Sequence, residues 1–177
     1  MTSFPGADEI LSAWNDQAEA LVRVWRARKI VVADATSRFH TLTEHQLEQR
    51  LETDRRELDR STMMMVLASF DAVVRTDAVN RIQSKTRDAV RKPLRGLYRP
   101  NPDRVRFTDI LDVWDGVAAV SATTKSMVRR LMKHRHWLAH GRYWTDKSAI
   151  TLTPNDAQAE LDDYAAALRG ACPDFPR

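Results

Sequence analysis

Arg135, His136 and His140 fall within one short run, Arg135-His136-Trp137-Leu138-Ala139-His140-Gly141. Histidine is the side chain best suited to carry protons near neutral pH, and arginine grips phosphate through a planar fork of donors. Lys125, Arg129, Arg130, Lys133 and Arg142 surround the run in sequence, with no acid between Lys125 and Arg142. A guanidinium and an imidazole in a basic segment point to phosphodiester chemistry. Arg129, Arg130, Lys133 and Arg142 are then the candidate backbone contacts. Trp137 and Tyr143, with Trp144 beside them, are candidate base-stacking groups, although packing is the commoner fate of a tryptophan. His136 and His140 are also spaced to share a metal on one helix face. A site of that kind needs further ligands, and no HExxH pattern or cysteine cluster supplies them; only a fold that recruited His40 or His45 would. The expectation is a site without metal or cofactor.

The element that positions these residues is a late helix. Ser121 or Thr123 can open it, and Gly141 can close it, glycine being favoured just past a helix C-terminus. Its apolar stripe runs Thr124, Val128, Leu131, Arg135, Leu138, so Arg135 stands where another leucine is expected. A charge there is costly unless it is paired or faces a cleft. On an ideal helix the side chains of Arg135 and His140 diverge by roughly 140°.

The remaining pattern is helical throughout. Residues 8–34 carry Ile10, Trp14, Ala18, Leu21 and Trp25 at three- and four-residue steps. Thr43 and Gln46 form a capping-box pattern that opens a second, highly charged helix, which Ser61 restarts or continues. Met63, Met64 and Met65 read as core filling. Pro93, Gly96, Pro100 and Pro102 predict a loop. Thr108 can cap a short helix that Gly116 weakens at its end, and Asn155 can cap a final helix carrying Leu161, Tyr164 and Leu168. Residues near 145–153 read as irregular or extended, and the tail from Ala171 as irregular. The fold class expected is an all-α bundle, a single domain over 1–177 with its core at about 8–170.

Bulk properties are compatible with nucleic acid as a partner without requiring it. The 177 residues carry a net charge of +4, 43% hydrophobic and 29% charged residues, an ordinary globular balance. From Arg75 to Arg106 ten Lys or Arg meet three acids. A solvated helix face is the plainer reading of that segment, and an RNA path the sharper one. Cys172 is the only cysteine, which suits a reducing compartment. The first residues lack the basic and apolar regions of a secretory leader, and no apolar run approaches membrane-spanning length, so a cytoplasmic protein is expected.

The run RHWLAHG resembles the motif of the HEPN superfamily, helical proteins marked by an arginine, a following polar residue and a histidine four to six residues further on, late in the bundle. It is similar to the bacterial toxin-antitoxin and phage-defence branches, including the RiboL-PSP-like group. The resemblance implies a metal-independent endoribonuclease acting as a homodimer with a composite site, in some cases silenced by an antitoxin. It assigns Arg135, His136 and His140 to catalysis. It adds Asp71, in the segment Ala68–Arg75, as the acidic residue that many relatives carry on an earlier helix; the plainer reading pairs Asp71 with Arg75 one turn on. RNA supplies its own nucleophile, the 2′-hydroxyl. The expected products are a 2′,3′-cyclic phosphate and a 5′-hydroxyl, with His140 as base or acid and Arg135 on the phosphate. The alternative is a non-catalytic RNA- or nucleotide-binding module, or an antitoxin-like partner. A DNA-binding regulator using residues 75–106 lacks a clear helix-turn-helix.

Overall fold

Thr43 opens the helix around which the chain is organised. Its hydroxyl accepts from the Gln46 N–H at 3.2 Å, while the Gln46 side chain accepts from the Thr43 N–H at 2.9 Å. The computed structural model describes residues 6–84, 88–99, 104–140 and 150–176. Among these residues the chain is all α-helix: α1 (Ala7–Arg26), α2 (Arg28–Ala33), α3 (Glu44–Gln83), α4 (Arg91–Tyr98), α5 (Phe107–Asp115), α6 (Ala122–His140) and α7 (Pro154–Ala171). No helix among them is long and apolar enough to cross a membrane.

Ser61 continues α3 rather than restarting it, and its hydroxyl donates to the Leu58 carbonyl inside the helix. At 40 residues α3 runs about 60 Å. It packs against each of the other six helices. Its two halves differ as the charge pattern predicts. Before Thr62 only Leu47 and Leu51 are buried; from Thr62 the buried set includes Met63, Val66, Leu67, Phe70 and Val74. Of the methionine triplet, Met63 is core and Met65 is exposed, because consecutive helical residues point 100° apart. The main core lies between the second half of α3 and helices α5–α7, with Phe70 edge-on to both Phe107 and Tyr164.

Several boundaries differ from the sequence reading. The helix expected over 8–34 breaks at Ala27, where Arg28 donates to the Trp25 carbonyl at 3.2 Å and pairs with Glu48 on α3 at 2.7 Å. The loop expected around Pro93 and Gly96 is α4. Pro93 is its third residue, inside the first turn where a missing N–H costs nothing, and Asp88 accepts from the N–H groups of Val90 and Arg91. Pro100 and Pro102 lie outside the described residues. Thr108 does not cap α5, which begins one residue earlier after Arg106. The last helix is capped by Thr153, not Asn155, through a capping box with Asp156, and Pro154 follows at the first helical position. Ser121 does open α6, accepting from the Thr124 N–H at 3.1 Å. Helix α6 continues to His140; Gly141 lies outside the described residues. Of the segment expected near 145–153, residues 150–153 are described and are non-helical.

The tail after α7 is irregular yet fixed. Phe175 is 1% exposed and meets Trp114 edge-on at 5.2 Å. Asp174 joins Asp77 and Asp88 around Arg81, which is 4% exposed and lies 5.0 Å from the centre of the Trp114 ring. The three carboxylates hold the Arg81 guanidinium charged against the cost of burial. Part of the basic count in 75–106 is therefore internal structure, not surface.

Candidate active site

Asp71 joins the two helices of the site. It sits in the second half of α3 and is 7% exposed. Its Oδ1 accepts from Arg75 Nε at 2.7 Å, and its Oδ2 lies 3.1 Å from Arg135 Nη2 on α6. One carboxylate thus holds two guanidiniums. Arg75 is fixed further by donating to the Val105 carbonyl at 3.1 Å. The charge on the α6 stripe is paired, as its position requires, and Arg135 remains about one third exposed.

Arg135 lines a groove of about 520 Å³ between α3, α5 and α6. Among the described residues five cationic side chains line it, Arg75, Arg106, Arg129, Lys133 and Arg135, against the single carboxylate of Asp71. Phe107 and Met132 supply apolar wall, and His136 stands at the rim. His136 is exposed, and its ring lies 5.2 Å, centre to centre, from that of exposed His140 one turn on. Helix geometry holds through His140, so Arg135 and His140 diverge as the spacing predicts. His140 adjoins the groove through His136. Arg135 Nε is buried without a hydrogen-bond partner.

The other expected contacts divide between two faces of α6. Arg129 and Lys133 are on the groove side. Arg129 is committed to structure: its guanidinium binds Asp112 and Asp115 of α5, which keep it firmly protonated, and Lys125 donates to the Asp115 carbonyl at 2.7 Å. The acids missing from the motif's own segment are thus supplied by α5. The same Asp115 accepts from the Tyr164 hydroxyl at 2.9 Å, and burial together with this carboxylate pushes the phenol well above its usual range. Trp137 faces away from the Arg135 groove. It stacks on His134 at 5.4 Å and lines a second groove with Arg56 and Arg60. Arg130 lies one helical repeat before Trp137 and is not among the residues lining the Arg135 groove. Arg142 and Tyr143 lie outside the described residues, as does Trp144.

Among the described residues no group of three or more His, Cys, Asp or Glu side chains is placed to hold a metal. His40 and His45 sit at the far end of α3, where His40 meets the Ser37 carbonyl and His45 the Gln49 amide. His45 is about 39 Å along the helix from Asp71. Sequence reasoning missed Arg106 and Phe107 as groove walls, and no spacing pattern ties them to Arg135. It took Arg75 as an ion-pair mate of Asp71 and as the first residue of the basic 75–106 segment, not as a wall of this groove. Comparison with known proteins adds no relative: no family model, no curated protein and no solved structure matches this chain.

Proposed function

We propose that the chain is a metal-independent endoribonuclease of the HEPN type, a toxin or phage-defence effector acting as a homodimer in the cytoplasm. The observation that carries the reading is Arg135, anchored by Asp71 on the wall of a groove with five cations, beside the exposed His136–His140 pair. An imidazole removes the 2′-hydroxyl proton. The 2′-oxygen attacks the adjacent phosphorus, and the bond to the 5′-oxygen breaks. A second imidazole protonates that leaving oxygen, so the products are a 2′,3′-cyclic phosphate and a 5′-hydroxyl. Arg135 stabilises the charge that builds on the non-bridging oxygens. His140 is the principal proton carrier and His136 its neighbour. A two-fold pairing of α6 brings a further copy of each to a composite site. Both oxygens of Asp71 are occupied by guanidiniums, which fits a positioning role and not proton transfer.

The test is incubation of purified protein with single-stranded RNA and the matched DNA, with and without chelator. Cleavage of RNA alone, unaffected by chelator and abolished by Arg135→Ala or His140→Ala in folded protein, supports the reading. Unchanged cleavage by both variants refutes this site. The second reading is a non-catalytic RNA- or nucleotide-binding module or antitoxin partner. It is favoured by one observation: the Asp71–Arg135 contact is equally what a packing ion pair between α3 and α6 would give. It requires salt-sensitive binding with no cut RNA. A regulatory protein partner of antitoxin type belongs to either reading.

A further inference from the structure

The described grooves differ in what they offer a nucleic-acid strand. The groove beside Trp25 sets Glu48 and Glu52 against Arg55, an acidic balance that disfavours a phosphate backbone. In the groove beside Trp137, where Arg56 and Arg60 meet Asp59, the indole is already stacked on the His134 ring, 5.4 Å between centres, and also has Arg60 over it, 6.0 Å from its centre. Among the described residues the Arg135 groove carries the largest excess of cations of the three, five against Asp71, and it has an aromatic ring on its wall. That ring is Phe107, the first residue of α5. Phe70 braces it edge-on at 6.3 Å from the core side, and Arg75 lies 5.7 Å from its centre, near the roughly 6 Å limit of a cation–π contact. Arg75 cannot swing away, because Asp71 and the Val105 carbonyl hold it. Arg106 is the preceding residue and exposed. A braced aromatic ring with a fixed guanidinium and a second, exposed one beside it is what sequence-tolerant binding of a single strand uses: the ring stacks a base and the cations take its phosphate.

We propose that Phe107 is a base-stacking platform, with Arg75 and Arg106 holding the phosphate of the same nucleotide. The ligand is then single-stranded RNA, engaged at a nucleotide next to the phosphate that Arg135 grips. The inference rests on the ribonuclease reading for the identity of that phosphate. The groove volume, about 520 Å³, lies in the range of sites that enclose one small ligand, roughly 300–1,000 Å³, and suits an unstacked nucleotide. A duplex keeps its bases stacked on one another and offers the ring no free face.

The test is fluorescence anisotropy with a labelled 2′-O-methyl RNA decamer, whose nucleophile is blocked, and with the same strand carrying one abasic residue walked along it. Phe107→Leu keeps apolar volume without a π-face, and Phe107→Tyr keeps the ring. The expected pattern is a loss of affinity of about tenfold for Phe107→Leu and less than about twofold for Phe107→Tyr. One abasic position should weaken wild type by about tenfold, with no further loss in Phe107→Leu, since base and ring are partners in one contact. Wild-type affinity in Phe107→Leu, an abasic penalty that persists in that variant, or no binding of the decamer by wild type overturns the platform. If the pattern holds but unmodified RNA stays intact, the platform survives and the cleavage reading falls. If RNA is cut and Phe107→Leu binds as wild type, the reverse is true.

Discussion

Asp71→Asn separates the two jobs that an arginine anchor can have. The carboxyl group is 11% exposed, whereas the Arg135 and Arg75 side chains are 32% and 40% exposed. Removing one partner of a fully buried pair costs about 3–5 kcal/mol, and breaking an exposed pair about 0–1 kcal/mol. Both arginines here rehydrate easily once released, and Arg75 keeps its bond to Val105. The expected loss is therefore about 1–2 kcal/mol. In a chain of this size that lowers Tm by about 2–8 °C. Affinity for RNA should be unchanged or tighter, because the groove loses the one carboxylate that lines it among the described residues. Cleavage should nevertheless slow by about 10- to 100-fold, since Arg135 no longer points in one fixed direction at the phosphate. Thermal unfolding, RNA binding and single-turnover cleavage on one preparation read all three quantities. Weaker binding with an unchanged cleavage rate would refute the positioning argument, and so would an unchanged Tm.

Arg81→Ala leaves three carboxylates facing one another around a buried position and should cost about 3–5 kcal/mol in urea unfolding. Phe175→Ala opens a cavity against Trp114 and should cost about 3–5 kcal/mol, measured the same way, although the residue lies near the end of the chain. Thr153→Ala removes the cap of α7 and should cost about 1 kcal/mol. Acid should act on the same cap: the Thr153 hydroxyl and N–H hold the Asp156 carboxyl below its usual range, so its support is present above about pH 4 and lost as pH falls through the lowered value. Helicity of wild type followed by circular dichroism in acid should show that loss, and Asp156→Asn should show less of it. Asp88 contributes with the same sign. Burial alone would raise its carboxyl, but Arg81 and the N–H groups of Arg91 and Val90 hold it low. Asp77 has the opposite sign, because burial lifts its carboxyl and outweighs Arg81.

Local rules made the helices legible and long-range contacts decided their ends. The Thr43–Gln46 box and the Ser121 cap are short-range patterns, and both occur as read. Asn155 and Thr108 are good caps in isolation, but Thr153 reaches Asp156 and α5 starts directly after Arg106, one residue ahead of Thr108. Pro93 reads as a breaker only while the helix start is unknown; Asp88 places that start two residues before it. At the break at Ala27 the next residue, Arg28, pairs with Glu48 on another helix, a contact that local patterns do not reveal. At the site, Arg135 and His136 were visible as types and spacings, whereas Asp71 was picked out only by the resemblance. Trp137 was read as a base-stacking group of the same site, but it lies 200° from Arg135 on an ideal helix and lines the other groove. Arg106 was read only as the end of a basic segment and Phe107 not at all, because only the packing of α5 against α3 and α6 brings them to the groove.

A charge in place of a core leucine violates the rule that the rest of α6 obeys, and such violations concentrate where a chain does something other than fold. Valine or leucine at position 135 would extend the Val128–Leu131–Leu138 stripe and dispense with Asp71 as a partner. The sequence instead carries a guanidinium, a carboxylate on a second helix to receive it and a second guanidinium on that carboxylate. An ion pair serving packing alone gains little over an apolar pair of the same volume. The arrangement also leaves Arg135 one-third exposed, in a groove whose other charged walls are cationic apart from Asp71 itself. A packing role does not require that exposure or that surplus of positive charge. An anion-binding role uses both, and the carboxylate behind the arginine fixes the direction in which the guanidinium points before the anion arrives.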